Sequence, residues 1–302
     1  MPDAEGMRLT FCGVRGSTPA SGPEFVRAGG HTSCVAVAHD GGPPTLLLDA
    51  GTGIRGVSTL LRGAPFRGSI LLGHLHWDHT QGLPFFAGGD RPDAEVDLYL
   101  PAQGAAEVLL SRMMSPPFFP IPPSGLRGSW RFLELGPGVM DVEGFAVQSA
   151  DISHSPGRTF GYRISDGGAS VAYLSDHRPA PGYLGDDGPW HEEAALALAA
   201  GCDVLVHDAQ HLDHEYADKA FMGHSPVGYA LALAVAAGAK QLVLFHHDPS
   251  RTDDQLDALQ AAMADAPLPV TIAVEGLEMT LPSQAPAGTS ALASGLGGSS
   301  GE

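Results

Sequence analysis

The chain has 302 residues, with 16 Lys+Arg against 34 Asp+Glu, a formal net charge of −18 at pH 7. At 43% hydrophobic and 17% charged it is a globular chain, with enough length for one large domain or two small ones. No apolar run approaches the ~20 residues that a bilayer span needs, and so acidic a surface disfavours long nucleic acids, whose binding rests on phosphate neutralisation by Lys and Arg.

Met1–Thr10 carries acidic residues and no long apolar stretch, unlike a signal peptide. Three sparse cysteines, Cys12, Cys34 and Cys202, give no disulfide framework and point to a cytoplasmic protein. Short apolar runs bounded by turn residues predict strands at Leu9–Val14, Cys34–Ala38 and Thr45–Asp49. A helical pattern follows at Ile54–Arg62, then a strand at Ser69–Gly73 and another at Val96–Leu100. Ala105–Met114 reads as a helix. Ser115–Gly125 is rich in Pro and Phe, either a rigid connection or the wall or lid of a pocket, with Phe118 and Phe119 as candidate substrate contacts. Strands are predicted at Trp130–Leu135, Phe145–Ala150, Phe160–Ile164 and Val171–Ser175. After a Pro/Gly loop at Arg178–Pro189 come a helix at His191–Ala200, a strand at Val204–His207 and a helix at Val227–Ala237. Ser225 is the expected N-cap of that last helix, with Pro226 in its first turn. A strand at Gln241–Phe245, a helix at Asp253–Ala264 and a strand at Val270–Val274 complete the pattern. It suggests α/β sheets packed together with helices outside, in one domain over residues 1–282. Residues 283–302 have the composition of a flexible tail.

Two motifs are set aside. Gly51-x-Gly53-x-x-Gly56 matches a dinucleotide fingerprint, but Asp49 sits where a pyrophosphate would lie and the doubly wound pattern is missing. Gly297-x-Ser299-x-Gly301 matches a nucleophile elbow, but lies in the tail without a strand before it.

The informative motif is His74-x-His76-x-Asp78-His79, delivered by the strand at Ser69–Gly73. Four candidate ligands in six residues is not a packing pattern. If the strand direction continues, alternation puts His74, His76 and Asp78 on one side and starts His79 from another direction. One short loop then reaches two metals, about 3.5–4 Å apart. Imidazole with carboxylate and no thiolate favours Zn2+, with Mn2+ or Fe2+ as alternatives. Distant ligands must complete the sites, and four predicted strand ends offer them: His154, Asp176, His207-Asp208 and His246-His247-Asp248.

These residues resemble the metallo-β-lactamase superfamily, over about residues 7 to 282 and in the right order. Asp49 in Leu-Asp-Ala-Gly is part of the match. The resemblance implies a four-layer αββα sandwich with a dinuclear site. It implies His74, His76 and His154 on one divalent cation, Asp78, His79 and His246 on the other, and Asp176 between them. An aspartate there, not a cysteine, is unlike the antibiotic-hydrolysing members. Val206-His207-Asp208-Ala209, Gly223-His224-Ser225 and Leu242–His246 are similar to blocks of ribonuclease Z and related phosphodiesterases. The likeness implies catalytic roles for Asp78, for His224 as proton donor, and for Asp208, an aspartate where the family usually has glutamate, as its partner.

The expected function is metal-dependent hydrolysis of a small phosphodiester such as a cyclic nucleotide, with Arg158 as a candidate phosphate contact. Structured RNA fits the charge less well, and no basic Gly-rich insertion is visible. Lactone, ester or thioester hydrolysis on the same site is the alternative. A non-catalytic nucleotide sensor is a further one, and a homodimer is compatible with the resemblance. His177 and His247 are expected next to the ligands, His211 and His214 at the surface.

Overall fold

In the computed structural model, residues 6–39, 41–154, 156–184 and 191–281 are described; the tail at 283–302 and part of the 178–189 loop lie outside them. One sheet contains β1 (Met7–Gly13), β2 (Cys34–His39), β3 (Leu46–Leu48), β4 (Arg67–Leu71), β5 (Glu95–Pro101) and β6 (Ser129–Leu135). Its other edge is the last strand, β14 (Glu278–Leu281), giving the order β14-β1-β2-β3-β4-β5-β6. The second sheet is built from β7 (Gly138–Val142), β8 (Phe145–Asp151), β9 (Phe160–Ser165), β10 (Ser170–Leu174), β11 (Val204–Asp208), β12 (Leu242–Phe245) and β13 (Val270–Ile272), paired in reverse order from β13 to β7.

Strand alternation builds the layers. Val35, Val37, Leu46 and Leu48 point into the central core, where they meet Phe145, Val147, Tyr162 and Val206 of the other sheet. Their neighbours Cys34, Ala36 and Leu47 face the opposite way, onto α1 (Ile54–Leu60) and a second apolar cluster. Successive side chains of a strand point to opposite faces, so a sheet covered on both sides reads as an unbroken apolar run. Outside the second sheet, α4 (Glu193–Ala199), α6 (Val227–Ala237) and α7 (Asp253–Ala262) cover Ala172, Leu174, Leu205 and Leu244. The remaining helices are α2 (Trp77–Thr80), α3 (Ala106–Ser111) and α5 (Asp213–Lys219). The layers are therefore helix, sheet, sheet and helix.

All twelve predicted strands are present, to within two residues at each end. β7 and β14 were not predicted. β7 is an edge strand paired only to β8, and the hairpin turns on Glu143 and Gly144, both at positive φ (54° and 81°). That is the left-handed pair of a tight hairpin turn, here with Glu in a place where Asn or Asp is the usual signal. α2 and α5 also exceed the predicted helices; each is short, at four and seven residues.

β3 to β6 run parallel to one another, as do β10 to β13. Their C-terminal ends meet at one edge of the sandwich, where open α/β sheets place their ligands. A salt-bridged strut lies near that edge. Glu215 of α5 accepts from both terminal nitrogens of Arg251 (3.0 and 2.6 Å) and from the Leu212 backbone N–H (3.0 Å). Hydrogen bonding to Arg251 outweighs burial and holds the Glu215 carboxyl at about 2, below its ordinary 4.5. A depressed folded pKa contributes stability that is present above the unfolded value and lost as pH falls through the folded one. Glu215→Gln is therefore expected to lower the unfolding midpoint by roughly 2–4 °C at pH 7. The difference from wild type should vanish between pH 4.5 and 2, as thermal melts across that range would show.

Candidate metal centre

β4 ends at Leu71, short of the motif. The chain runs on to His76, which caps α2 in an extended conformation (φ −65°, ψ 157°). Asp78 and His79 thus lie on a helical turn, and the expected strand alternation through Asp78 does not occur. Successive residues step about 100° around a helix axis, which turns Asp78 and His79 inward while Trp77 stays 74% exposed. The first glycine of the set-aside fingerprint serves this turn. A Cβ on Gly51 would collide with the Asp78 carbonyl.

The seven nominated ligands fall into two clusters. His74, His76, His154 and Asp176 form one, and Asp78, His79, Asp176 and His246 the other, with one ligand atom from each within 4.8 Å of all the rest in its cluster. In the first, His76 Nδ1 lies 3.3 Å from His154 Nε2, and Asp176 Oδ2 is 3.7 Å from His74 Nε2 and 3.6 Å from His154 Nε2. In the second, Asp176 Oδ1 is 2.9 Å from His79 Nε2 and 3.2 Å from His246 Nε2. Asp78 Oδ2 is 3.3 and 3.1 Å from the same two nitrogens. Asp176 thus turns one oxygen to each cluster.

These spacings suit a cation better than they suit one another. Ligand atoms at ~2.0–2.1 Å from a tetrahedral ion stand roughly 3.3 Å apart. His74 Nε2, His79 Nε2 and both Asp176 oxygens are buried without a hydrogen-bond partner among the described residues, a costly state that a metal relieves. Burial, and then repulsion from His79, pushes His74 well below the ordinary imidazole range, and burial lowers His76 and His154 as well. These rings are neutral, as metal ligands must be. Burial alone would raise Asp176, but His246 and His79 hold it well below the usual carboxylate range. His79 goes the other way, since Asp176, Asp49 and Asp78 outweigh its burial. A proton there balances the carboxylates, and a cation would take over that task.

Asp49 orients His79. Its Oδ2 accepts from His79 Nδ1 (2.8 Å), the Tyr173 hydroxyl (2.8 Å) and Ser175 Oγ (3.2 Å), and its Oδ1 accepts from the Gly73 N–H (2.7 Å). It is fully buried at a positive φ of 63°. In the sequence it is a strand-end aspartate with no assigned role. Asp49→Ala is expected to weaken metal binding by about 10–100-fold. Chelator-competition titration would read this, and an unchanged affinity would remove Asp49 from the centre.

Beside the clusters, His224 Nδ1 donates to Asp208 Oδ2 at 2.8 Å. The shorter aspartate reaches. Burial alone would lower His224, but Asp208, by charge and by hydrogen bond, raises it to about 9. His154 Nδ1 donates to the Gly223 carbonyl (2.7 Å), tying the two segments together. Ser225 does not cap α6, whose N-cap is Pro226; its hydroxyl donates to the His177 carbonyl at 2.5 Å. His177 stands behind Asp208, giving it a backbone N–H (3.2 Å) and joining His207 (3.0 Å) and Glu192 (2.9 Å) through its ring. His247 Nε2 donates to the Ala273 carbonyl (2.8 Å). His214 is exposed as expected, but His211 is not at the surface: it is fully buried, with its ring 6.0 Å from that of His224.

A cavity of about 430 Å³ opens over the clusters, lined by Ser17, Leu75, His76, Trp77, Asp78, Asp176 and His224. Ser17, missed in the sequence, donates its backbone N–H to Asp78 Oδ2 (2.6 Å). No motif marks it, because a backbone contact leaves no side-chain signature. Arg158 does not line this cavity. Its guanidinium donates twice to Asp151 (2.6 and 2.8 Å) and once to the Ala102 carbonyl (2.7 Å). A bidentate carboxylate seven residues away holds it, so in this structure the guanidinium expected to contact a phosphate is paired within the chain. Phe118 and Phe119 do not line the cavity either. They line an adjoining cleft that shares Trp77 with it.

Comparison with known proteins agrees with this geometry. A family profile described as the beta-lactamase superfamily domain matches residues 45–247. Ribonuclease Z of Methanosarcina acetivorans is 28% identical over 82% of this chain and 90% of its own length. Ribonuclease BN of Escherichia coli is 29% identical over 62% of this chain and 72% of its own. Among solved structures, the metallo-beta-lactamase fold protein YhfI of Bacillus subtilis superposes with a TM-score of 0.68 at 19% identity, over 90% of this chain and 99% of that one. The short form of human tRNase Z gives 0.62 at 21%, over 91% and 99%. With the ligand clusters gathered at the sheet edge where the sandwich opens, the chain belongs to the metallo-β-lactamase superfamily and is one of its metal-dependent hydrolases.

Proposed function

We propose that the protein is a phosphodiesterase acting on a small phosphodiester, with a dinuclear centre held by His74, His76 and His154 on one side, Asp78, His79 and His246 on the other, and Asp176 between. The observation that carries this reading is the His224–Asp208 pair at 2.8 Å beside the clusters. Two bound divalent cations, Zn2+ by the donor chemistry, would supply Lewis acidity and make water a nucleophile near neutral pH. Hydrolysis forms a bond from water oxygen to phosphorus and breaks the bond to the leaving oxygen. An alkoxide leaving group needs a proton. His224 lines the cavity, and its Nδ1 is fixed on Asp208, so the other ring nitrogen is left to give that proton. Asp208 keeps the ring protonated, and His177 and Gln210 fix Asp208 through their backbone N–H groups (3.2 and 3.0 Å). A carbonyl substrate makes less use of such a donor.

Cleavage of precursor transfer RNA is the second reading, favoured by the curated relatives named ribonuclease Z and ribonuclease BN. The net charge of −18, with only two lysines in the chain, weighs against a broad RNA surface. Zinc- or manganese-loaded protein assayed on bis(p-nitrophenyl) phosphate, cyclic nucleotides, a lactone and precursor transfer RNA tests both. Turnover of the small phosphodiesters is expected. Cleavage of the RNA alone, or of the lactone alone, would overturn the proposal.

A further inference from the structure

Beside the metal centre lies the Pro/Phe loop's cleft, about 1110 Å³ in volume. Its aromatic walls are unusually bare: Trp77 is 74% exposed, Phe85 60% and Phe118 83%. Arg55 and Arg112 line the same cleft, and no acidic residue does. Among the described residues neither guanidinium makes an ion pair, although carboxylates outnumber cations two to one in this chain. Trp77, set between His76 and Asp78, is a wall of both this cleft and the cavity over the ligand clusters. A ligand spanning the two has one end at the metals and the other among aromatic faces and two cations.

We infer that this cleft is the subsite for a second nucleotide of the substrate, its base stacked on the aromatic faces and its phosphate paired with Arg55 and Arg112. The inference rests on the phosphodiesterase reading and narrows its substrate class to dinucleotide-type phosphodiesters. Charge and shape select this occupant. Every base offers a π-face that stacks on such side chains, and guanidinium forks match phosphate oxygens. An acyl chain would cover the two guanidiniums without giving them a partner, at a desolvation cost. A second copy docked by a two-fold axis would bring the patch, and its arginines, against the same patch.

The test uses the metal-loaded protein and two substrates, a 5′-phosphorylated diadenylate and bis(p-nitrophenyl) phosphate. Arg112→Gln, Arg55→Gln and Phe118→Ala are each expected to lower the ratio of kcat/KM for the diadenylate over the small ester about tenfold, through KM. Phe221→Ala, an equally bare phenylalanine (86%) outside the cleft, should leave the ratio unchanged. AMP, which has no diester to cleave, provides a binding readout, and its Kd should rise about tenfold in the same three variants. Unchanged ratios and unchanged AMP affinity would overturn the inference. So would a decanoate that binds more tightly than AMP and responds to Phe118→Ala alone, or a dimer that Phe118→Ala dissociates with no effect on AMP. If AMP responds as expected but neither diester is hydrolysed, the subsite stands and the phosphodiesterase reading falls.

Discussion

Asp176→Ala is expected to abolish phosphodiester turnover to within about a thousandth of wild type, and to lower metal content from two ions per chain to one or fewer. Its two oxygens face different clusters, at 2.9 Å from His79 and 3.6 Å from His154, so one substitution opens both sites. Lewis-acid stabilisation by a bound ion is worth several kcal/mol, and each ~1.4 kcal/mol is tenfold in rate. Asp176→Asn separates charge from shape, since it keeps the volume and one acceptor oxygen. Elemental analysis beside kcat would decide the point. A variant with two retained metals and near-normal turnover would show that Asp176 does not join the sites.

His224→Ala is expected to lower kcat for a diester with an alkoxide leaving group by about 10²–10⁴-fold, with metal content unchanged. The loss should shrink on p-nitrophenyl esters, because p-nitrophenolate departs without a proton. Equal losses on both would make His224 a structural group. Asp208→Asn should follow in the same direction and also move the pH profile. Asp208 raises His224 to about 9, and an acid works only below its pKa, so activity declines as pH rises through that value. Removing Asp208 takes the raising charge away, and the alkaline limb should shift to lower pH. Bound cations act on His224 in the same downward sense, as like charges, so the limb of the holoenzyme lies below that of the free imidazolium. Wild type and variant compared with the same metal loaded isolate the part due to Asp208.

How far the site was legible depends on the kind of residue. His74, His76, Asp78 and His79 are adjacent in sequence, and their density alone marks them. His154, Asp176 and His246 were nominated because each ends a predicted strand, and parallel strands deliver their C-terminal ends to one edge. Asp208 also ends a predicted strand, but His224 and its pairing with Asp208 needed the family resemblance, since a helix lies between the two. Asp49 was visible only as part of a pattern, because its bonds reach His79 beyond the next strand and cross to Tyr173 and Ser175 of the other sheet. Arg158 illustrates the converse. Its number places it near His154, but Asp151 at the end of β8 holds its guanidinium away.

Local chemistry thus settled by itself what the linear pattern encodes: strand periodicity, the apolar runs of doubly covered strands, and the clustering of imidazole and carboxylate. Those signals depend on neighbours a few residues apart, which a reading of the chain sees directly. Tertiary structure alone decided the rest. It turned Asp78 and His79 inward on a helical turn, split the Asp176 oxygens between two clusters, buried His211, and set the Pro/Phe loop beside the ligand clusters, with Arg55 and Arg112 outside any ion pair among the described residues. Each of these is a choice among partners far apart in sequence, governed by distances and burial that exist only once the two sheets have packed.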